Sequence, residues 1–150
     1  MLIMNPESDL HSLVGTSLGV GDWFTIDQAR IDAFAAVTDD HQWLHTDPER
    51  AADGPYGRTI AHGFLVLAIL PALASSVLTI SGYTSVVNYG LNRVRFPAPA
   101  LVDSRVRDRL KLDSVEAAAR GTLLTLTHTV EVEGQDRPAC VAQQLRLLTR

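Results

Sequence analysis

Residues 63–80 of this chain decide its fold, and they read GFLVLAILPALASSVLTI. The stretch is too long for a single strand and apolar on every side, which predicts a helix that is buried all round. A membrane span of about 20 apolar residues would have a similar length. Pro71, Ser75 and Ser76 within the stretch, and the lack of a basic cluster just beyond it, favour burial inside a globular protein. We therefore expect one long central helix from Gly63 to Ile80.

The composition is that of an ordinary globular protein, with 150 residues, 46% hydrophobic and 20% charged. A net charge of -4 argues against nucleic acid as a partner. Cys140 is the only cysteine, so we expect neither a disulfide nor a thiolate metal cluster. The stretch from Met1 to Glu7 lacks the features of a signal peptide. We expect a cytoplasmic protein that does not bind membranes.

The second half of the chain has the pattern of a β-sheet. Ser85 to Phe96 is rich in β-forming residues, and a slip in its apolar phase between Leu91 and Val94 predicts a bulge near Gly90. Three further stretches alternate apolar and polar residues: 104–111, 124–132 and 139–148. The sequence therefore predicts an α+β fold, a single domain over residues 1–150 in which an antiparallel sheet wraps around the long helix.

The candidate chemistry lies between Thr38 and Gly63. Asp40 and His45 place a carboxylate and an imidazole five residues apart, in a loop that follows a helix capped by Asp27. Such a pair can hold one water molecule and move protons to and from it. The alternative is that both are ordinary turn residues, as Asp and His often are in loops.

A metal site built from His41, His45 and His62, with a carboxylate as a further ligand, is a rival interpretation. His41 and His45 would share a face only in a helix, and the residues between them do not have a helical pattern. We therefore expect no metal.

Two motifs carry a family resemblance. Asp40-His41-Gln42-Trp43-Leu44-His45 resembles the Asp-x-Asn-Pro-Leu-His signature of the MaoC-like dehydratases, the (R)-specific enoyl-CoA hydratase family. Ile60-Ala61-His62-Gly63 resembles that family's Ile-Val-His-Gly, and residues 88–99 resemble its long strand. The Gln42-Trp43 variant is similar to the nodulation-protein-N-like subgroup. The resemblance implies a hotdog fold, a sheet curled around one helix.

The resemblance also implies a reaction, the hydration of a trans-2-enoyl thioester or the reverse dehydration. Asp40 and His45 would activate the water, and the Gly63 N–H would polarise the thioester carbonyl. The product would be the (R)-3-hydroxyacyl thioester. No cofactor is expected, since coenzyme A, or an acyl-carrier protein, would arrive as part of the substrate. Further substrate-binding candidates near the pair and in the loop before the helix are Gln42, His62, Tyr56 and Arg58.

The sequence departs from the family pattern at several positions. Gln42 replaces the usual Asn, Trp43 the usual Pro and Asp39 the usual Gly, while Pro71 stands where some hydratases carry a supporting Ser. These changes leave the acid–base pair intact and affect the expected shape of the site. Two other functions stay open: a hotdog thioesterase, which would cleave the thioester, and a non-catalytic acyl-binding or regulatory module.

Several residues have structural interpretations. We expect His62 to bond nearby backbone and His128 to be a hydrogen-bonded core residue. Cys140 is expected to pack as a small hydrophobe. One basic strand face is expected to be solvated, although it could contact coenzyme A phosphates; it comprises Arg105, Arg107, Arg109 and Lys111. Because a small sheet around one helix leaves edges and apolar surface exposed, we expect a homodimer.

Overall fold

The computed structural model describes residues 2–4 and 7–150, with side chains from Leu10 onward. Two short elements come first, β1 (Leu2–Met4) and α1 (Glu7–Ser12). The remaining strands are β2 (Ser17–Val20), β3 (Phe24–Ile26), β4 (Leu78–Ile80), β5 (Ser85–Arg95), β6 (Ser104–Ala118), β7 (Gly121–Val132) and β8 (Cys140–Thr149). The remaining helices are α2 (Gln28–Thr38), α3 (Trp43–Thr46), α4 (Pro48–Ala52), α5 (Gly63–Ala68) and α6 (Leu70–Ala74).

The main sheet is antiparallel and has six strands, in the order β2-β6-β7-β8-β5, with β3 also paired to β6. The pairing of β5 with β8 shifts register between Asn88 and Gly90 and again between Leu91 and Arg93. The bulge predicted near Gly90 is therefore confirmed. A separate parallel pair joins β1 to β4. The α+β fold with an antiparallel sheet is as predicted.

The core forms where the inner face of the sheet meets α5 and α6. Strands β6, β7 and β8 alternate buried and less buried residues, as expected when one face of a sheet is covered. Cys140 is fully buried in this core, as predicted, and burial together with the charge of Asp108 raises the pKa of its thiol to about 12. A thiol with this pKa is a packing group rather than a nucleophile.

The single long helix predicted over 63–80 is wrong. The segment forms α5 and α6, which meet at Ile69, and it ends in strand β4. Pro71 has no N–H to donate to the carbonyl of Leu67, so the helical ladder is interrupted at this point. The hydroxyls of Ser75 and Ser76 donate to the carbonyls of Ala72 and Leu73 at 2.7 and 3.2 Å. These side-chain bonds compete with the backbone hydrogen bonds that would continue the helix.

The prediction that this segment is buried on every side is also wrong. Leu65, Val66, Leu70 and Leu73 are buried, whereas Phe64 is 70% exposed. The apolar sequence therefore covers the sheet with one face and presents another apolar face outward. No helix among the described residues is both long enough and apolar enough to cross a membrane.

Adjacent leucines on β7 test which face of the sheet is the core. Leu124 is completely buried, while Leu123 lies on the opposite, half-buried face. Leu124→Ala should lower the free energy of unfolding by about 2–5 kcal/mol, because it leaves a cavity. Leu123→Ala should cost about 1 kcal/mol or less. Chemical denaturation of both variants measures the difference, and equal losses would contradict the assignment of faces.

Candidate active site

Helix α2 brings the chain to Asp40. The Asp27 carboxylate caps the helix by accepting a hydrogen bond from the Arg30 N–H at 2.9 Å, as the sequence predicts. The helix ends at Thr38, and Asp39 adopts a left-handed conformation with φ of 56°. This turn, which Asp tolerates better than most residues, redirects the backbone and leaves Asp40 exposed immediately after it.

His45 lies in α3, a single helical turn that the sequence pattern did not predict. Its side chain is buried, and its Nδ1 lies 2.7 Å from the carbonyl oxygen of Ile60. Because a carbonyl only accepts, Nδ1 carries the proton of the neutral ring and Nε2 keeps a lone pair. His45 is therefore built to accept a proton or a hydrogen bond at Nε2.

Burial lowers the pKa of His45 below its ordinary value of 6.5. The hydrogen bond to Ile60 and the charge of Asp40 oppose this effect, and His62 adds to it. The net result keeps the His45 ring neutral at neutral pH, with its Nε2 lone pair available.

His62 contacts both candidate catalytic residues, Asp40 and His45. Its Nε2–H donates to the backbone carbonyl of Asp40 at 3.0 Å, and its ring stacks on His45 with centroids 3.7 Å apart. The ring is 2% exposed, and Phe34 packs against it with centroids 5.1 Å apart. His62 therefore bonds nearby backbone, as expected, and this bond places Asp40 beside His45.

Gln28, which the sequence analysis did not single out, holds His45 in this arrangement through hydrogen bonds. The Gln28 amide N–H donates to the backbone carbonyl of His45 at 2.7 Å, and its oxygen accepts from the Thr59 hydroxyl. Gln28 thus ties α2 to α3 and to the segment that precedes α5. No local signal marks it, because a polar residue in the first turn of a helix is common.

Asp40, His45 and His62 bring one carboxylate oxygen and two ring nitrogens within 4.8 Å of one another. Of the predicted metal set, His45, His62 and a carboxylate, that of Asp40, come together, whereas His41 is exposed and lies outside the cluster. The two imidazole planes are stacked at 25°, whereas a metal bonds a ring nitrogen close to the ring plane. The two lone pairs therefore do not converge on one ion unless a ring rotates, and the geometry favours acid–base chemistry.

Two cavities flank the start of α5. The first has a volume of about 480 Å³ and contains Asp40, and its walls are formed by Phe34, Thr38, Phe64, Leu67 and Ala68. The second has a volume of about 330 Å³ and is lined by Tyr56, Gly63, Phe96 and residues 97–100, among others. The first turn of α5 lies between them, and no side chain caps it.

Gly63 has a steric role at this point. A Cβ on Gly63 would lie 3.0–3.1 Å from the ring of Phe96, closer than ordinary van der Waals contact. Glycine therefore lets the backbone at the start of the helix approach the wall of the second cavity, with N–H groups that lack helical partners.

The remaining predicted site residues lie around this centre. The Gln42 carbonyl accepts from the His45 N–H at 2.9 Å and starts α3, while its side chain is exposed. Tyr56 borders the second cavity. Arg58 is exposed and lines neither cavity.

The basic strand face lies outside the site and is solvated, as predicted. Each cation has an acidic neighbour at 2.7–3.1 Å: Arg105 pairs with Glu133, Arg107 and Arg109 with Glu131, and Lys111 with Asp113. These carboxylates cancel much of the positive charge that a coenzyme A phosphate would require.

Comparison with known proteins identifies the family. The sequence profile described as MaoC like domain matches residues 9–134. This chain belongs to the MaoC-like family. It is 52% identical over 139 residues to 3-hydroxyacyl-thioester dehydratase Z of Mycobacterium tuberculosis strain H37Rv, and the match covers 92% of each chain. It is 44% identical over 144 residues to Nodulation protein N of Rhizobium leguminosarum bv. viciae, which covers 94% of this chain and 89% of that protein.

The MaoC-like fold is also shown by solved structures. An (R)-hydratase from A. caviae superposes with a TM-score of 0.68 at 25% identity, over 86% of this chain and 96% of that chain. The hotdog fold, the family and its nodulation-protein-N-like branch are therefore confirmed, and these relatives make the chain an enzyme of the hydro-lyase type.

The neutral state of His45 gives a direct test of the site. Long-range proton–nitrogen NMR should show His45 titrating below pH 6.5, because burial disfavours the imidazolium. Above its pKa, the ring should carry its proton on Nδ1. A His45 titration at or above pH 6.5, or a neutral ring protonated on Nε2, would contradict the geometry described above.

Proposed function

We propose that this MaoC-like chain adds water across a trans-2-enoyl thioester, and removes it from a (R)-3-hydroxyacyl thioester in reverse. The observation that carries the proposal is that the Asp40 carboxylate and a ring nitrogen of His45 lie within 4.8 Å of each other, and that Asp40 also lines a cavity beside the start of α5. The named dehydratase and (R)-hydratase relatives support the same reaction. Coenzyme A and an acyl-carrier protein are both suitable thioester carriers.

The pair offers two acceptors to one water molecule. One water hydrogen is donated to the Asp40 carboxylate and the other to the Nε2 lone pair of His45, which leaves an oxygen lone pair free to attack C3. Asp40 takes one proton from the attacking water and then delivers that proton to C2. The hydroxyl stays on C3, and the water is consumed without a further reactant.

Charge builds up on the thioester oxygen during this step. The Gly63 N–H is the proposed donor to that oxygen, because it lies in the first turn of α5 and has no helical partner. A donor of this kind contributes about 3–4 kcal/mol where an enolate develops.

The thioesterase alternative requires the same water to face the carbonyl carbon. The proposed arrangement instead has one group to hold the carbonyl oxygen and a separate pair to serve two adjacent carbons, which fits hydration. The binding-module alternative gives no reason for a buried, braced imidazole with an available lone pair.

Crotonyl-CoA tests the proposal. Wild type should bleach the conjugated enoyl-thioester absorbance without releasing thiol. Asp40→Asn and His45→Ala should each lower turnover by about 10²–10⁴-fold, because each removes a group that handles the water. Asp39→Asn is the matched control, since this neighbouring carboxylate lies outside the cluster, and it should stay close to wild type.

Thiol release that accounts for all substrate loss and disappears in Asp40→Asn would move the assignment to thioester hydrolysis. Activity of Asp40→Asn within tenfold of wild type would contradict its role. Longer enoyl chains belong in the same assay, because Phe64 and Leu67 line the cavity beside Asp40 and set the surface that an acyl chain would contact.

We also propose that the chain acts as a homodimer through β5. This strand is at an edge of the sheet and is mostly exposed on both faces. Its exposed apolar residues include Val86, Val87, Tyr89 and Leu91, at 44–64% exposure. A long apolar edge strand left in water invites pairing with another chain, so a second copy is the simplest cover.

Light scattering tests the homodimer. Purified protein should have twice the mass of one chain, and dilution that separates the subunits should reduce specific activity, because β5 and α5 together line a groove beside the site. A monomer with full activity would contradict the proposal.

A further inference from the structure

A line of buried polar residues crosses the inner face of the sheet, where apolar residues would be expected. Asp108, His128, Gln144 and Arg146 are 0–8% exposed. His128 lies between Asp108 and Gln144: its Nδ1 is 2.7 Å from the Asp108 carboxylate and its Nε2 is 3.0 Å from the Gln144 oxygen. His128 is therefore the hydrogen-bonded core residue predicted from the sequence. Burying so many polar groups is costly, and Nη2 of Arg146 has no partner among the described residues.

These buried polar residues determine which way the side-chain amide of Gln144 faces. The Gln144 oxygen faces His128 and also accepts from Arg146 Nε at 2.8 Å. Its amide nitrogen is therefore directed toward Asn88 and donates to the Asn88 oxygen at 2.9 Å. Because that oxygen is used, Asn88 presents its NH₂ group outward as a donor, and none of the described residues accepts from it.

Asn88 lies in a groove whose other walls are mostly apolar. The groove has a volume of about 210 Å³, and besides Asn88 and Gln144 its lining includes Leu67, Ala68, Pro71 and Leu91. A single oriented donor on an apolar wall is the usual arrangement by which a pocket selects one polar atom of an otherwise apolar ligand.

The groove adjoins the cavity that contains Asp40. Leu67 and Ala68 line both, so the two share a wall formed by the end of α5. From Gly63 to Ala68, the helix rises about 7.5 Å at about 1.5 Å per residue. An acyl chain held by its carbonyl at Gly63 would therefore reach the groove several carbons beyond C3.

We propose that Asn88 is a specificity-determining residue, whose amide N–H donates a hydrogen bond to an oxygen carried by the acyl chain several carbons beyond C3. The preferred substrates are then oxo- or hydroxy-substituted enoyl thioesters rather than plain hydrocarbon chains. The inference rests on the proposed function for the reaction itself. Beyond that reaction, the inference adds a polar group on the acyl chain and names Asn88 as the residue that selects it.

The test compares pairs of enoyl-CoA thioesters of equal length, with and without one oxo group at successive distal carbons. In at least one pair, wild type should prefer the oxo substrate by about two- to tenfold in kcat/KM, the net effect expected of one hydrogen bond. Asn88→Leu should abolish this preference, mainly by slowing the oxo substrate. Gln144→Met, which removes the group that orients Asn88, should weaken it.

Asn92 supplies the matched control. It is an exposed asparagine on the same strand, but its amide donates to Gln143 at 2.9 Å and it lies outside the groove. Asn92→Leu should leave the ratio of the two substrates unchanged.

The outcomes separate this inference from the proposed reaction. If crotonyl-CoA is hydrated but wild type and Asn88→Leu have the same substrate ratio in every pair, the inference is wrong and the reaction stands. If no thioester is hydrated, calorimetric binding of saturated acyl-CoA pairs provides the readout. Tighter binding of an oxo chain to wild type than to Asn88→Leu would then support the inference, and equal binding would overturn it.

Discussion

The site depends on contacts between two segments that are far apart in sequence. His45 donates from Nδ1 to the Ile60 carbonyl, and His62 donates from Nε2 to the Asp40 carbonyl, so each segment supplies a histidine to the backbone of the other. The two rings then stack at 3.7 Å. These interactions determine the His45 tautomer, the position of Asp40 and the approach of the chain to α5. The sheet and helices provide the rigid frame that makes such an arrangement possible.

The sequence predicted the sheet and the site more accurately than the helix. Alternating residues of β6, β7 and β8 report directly on which face is buried, and the bulge near Gly90 follows from a slip in that alternation. The long helix failed because apolar content alone does not reveal where backbone hydrogen bonding stops. Pro71 carried that signal, and its missing N–H outweighs the uniform hydrophobicity around it.

The chemistry-bearing residues were identifiable because two motifs mark them, but their connections were not. Gln28 braces His45 from a distance of 17 residues in sequence. Asn88 is oriented through Gln144, which lies 56 residues away. Contacts between elements this far apart have no periodic signature. The sequence therefore identifies which residues can do chemistry, while the fold determines which of them are held in place.

The exposed face of α5 and α6 borders the candidate site. A continuous buried helix would cover the sheet evenly, whereas the observed segment presents Phe64, Ala68 and Pro71 at the surface. These residues, with Leu67 between them, border the cavity of Asp40 and the groove of Asn88. In the proposed reaction, the exposed face of α5 would be the wall along which the acyl chain lies, and β5 would form the opposite wall at the groove of Asn88.

In the proposed reaction, Asp40 and His45 hold one water molecule against C3 of an enoyl thioester. A crystal structure of the Asp40→Asn variant with a bound enoyl-CoA tests it most directly. We expect the thioester oxygen within hydrogen-bonding distance of the Gly63 N–H, and C3 facing a water bonded to His45 Nε2. A complex in which that water faces the carbonyl carbon instead, or in which the thioester lies away from both residues, would contradict it.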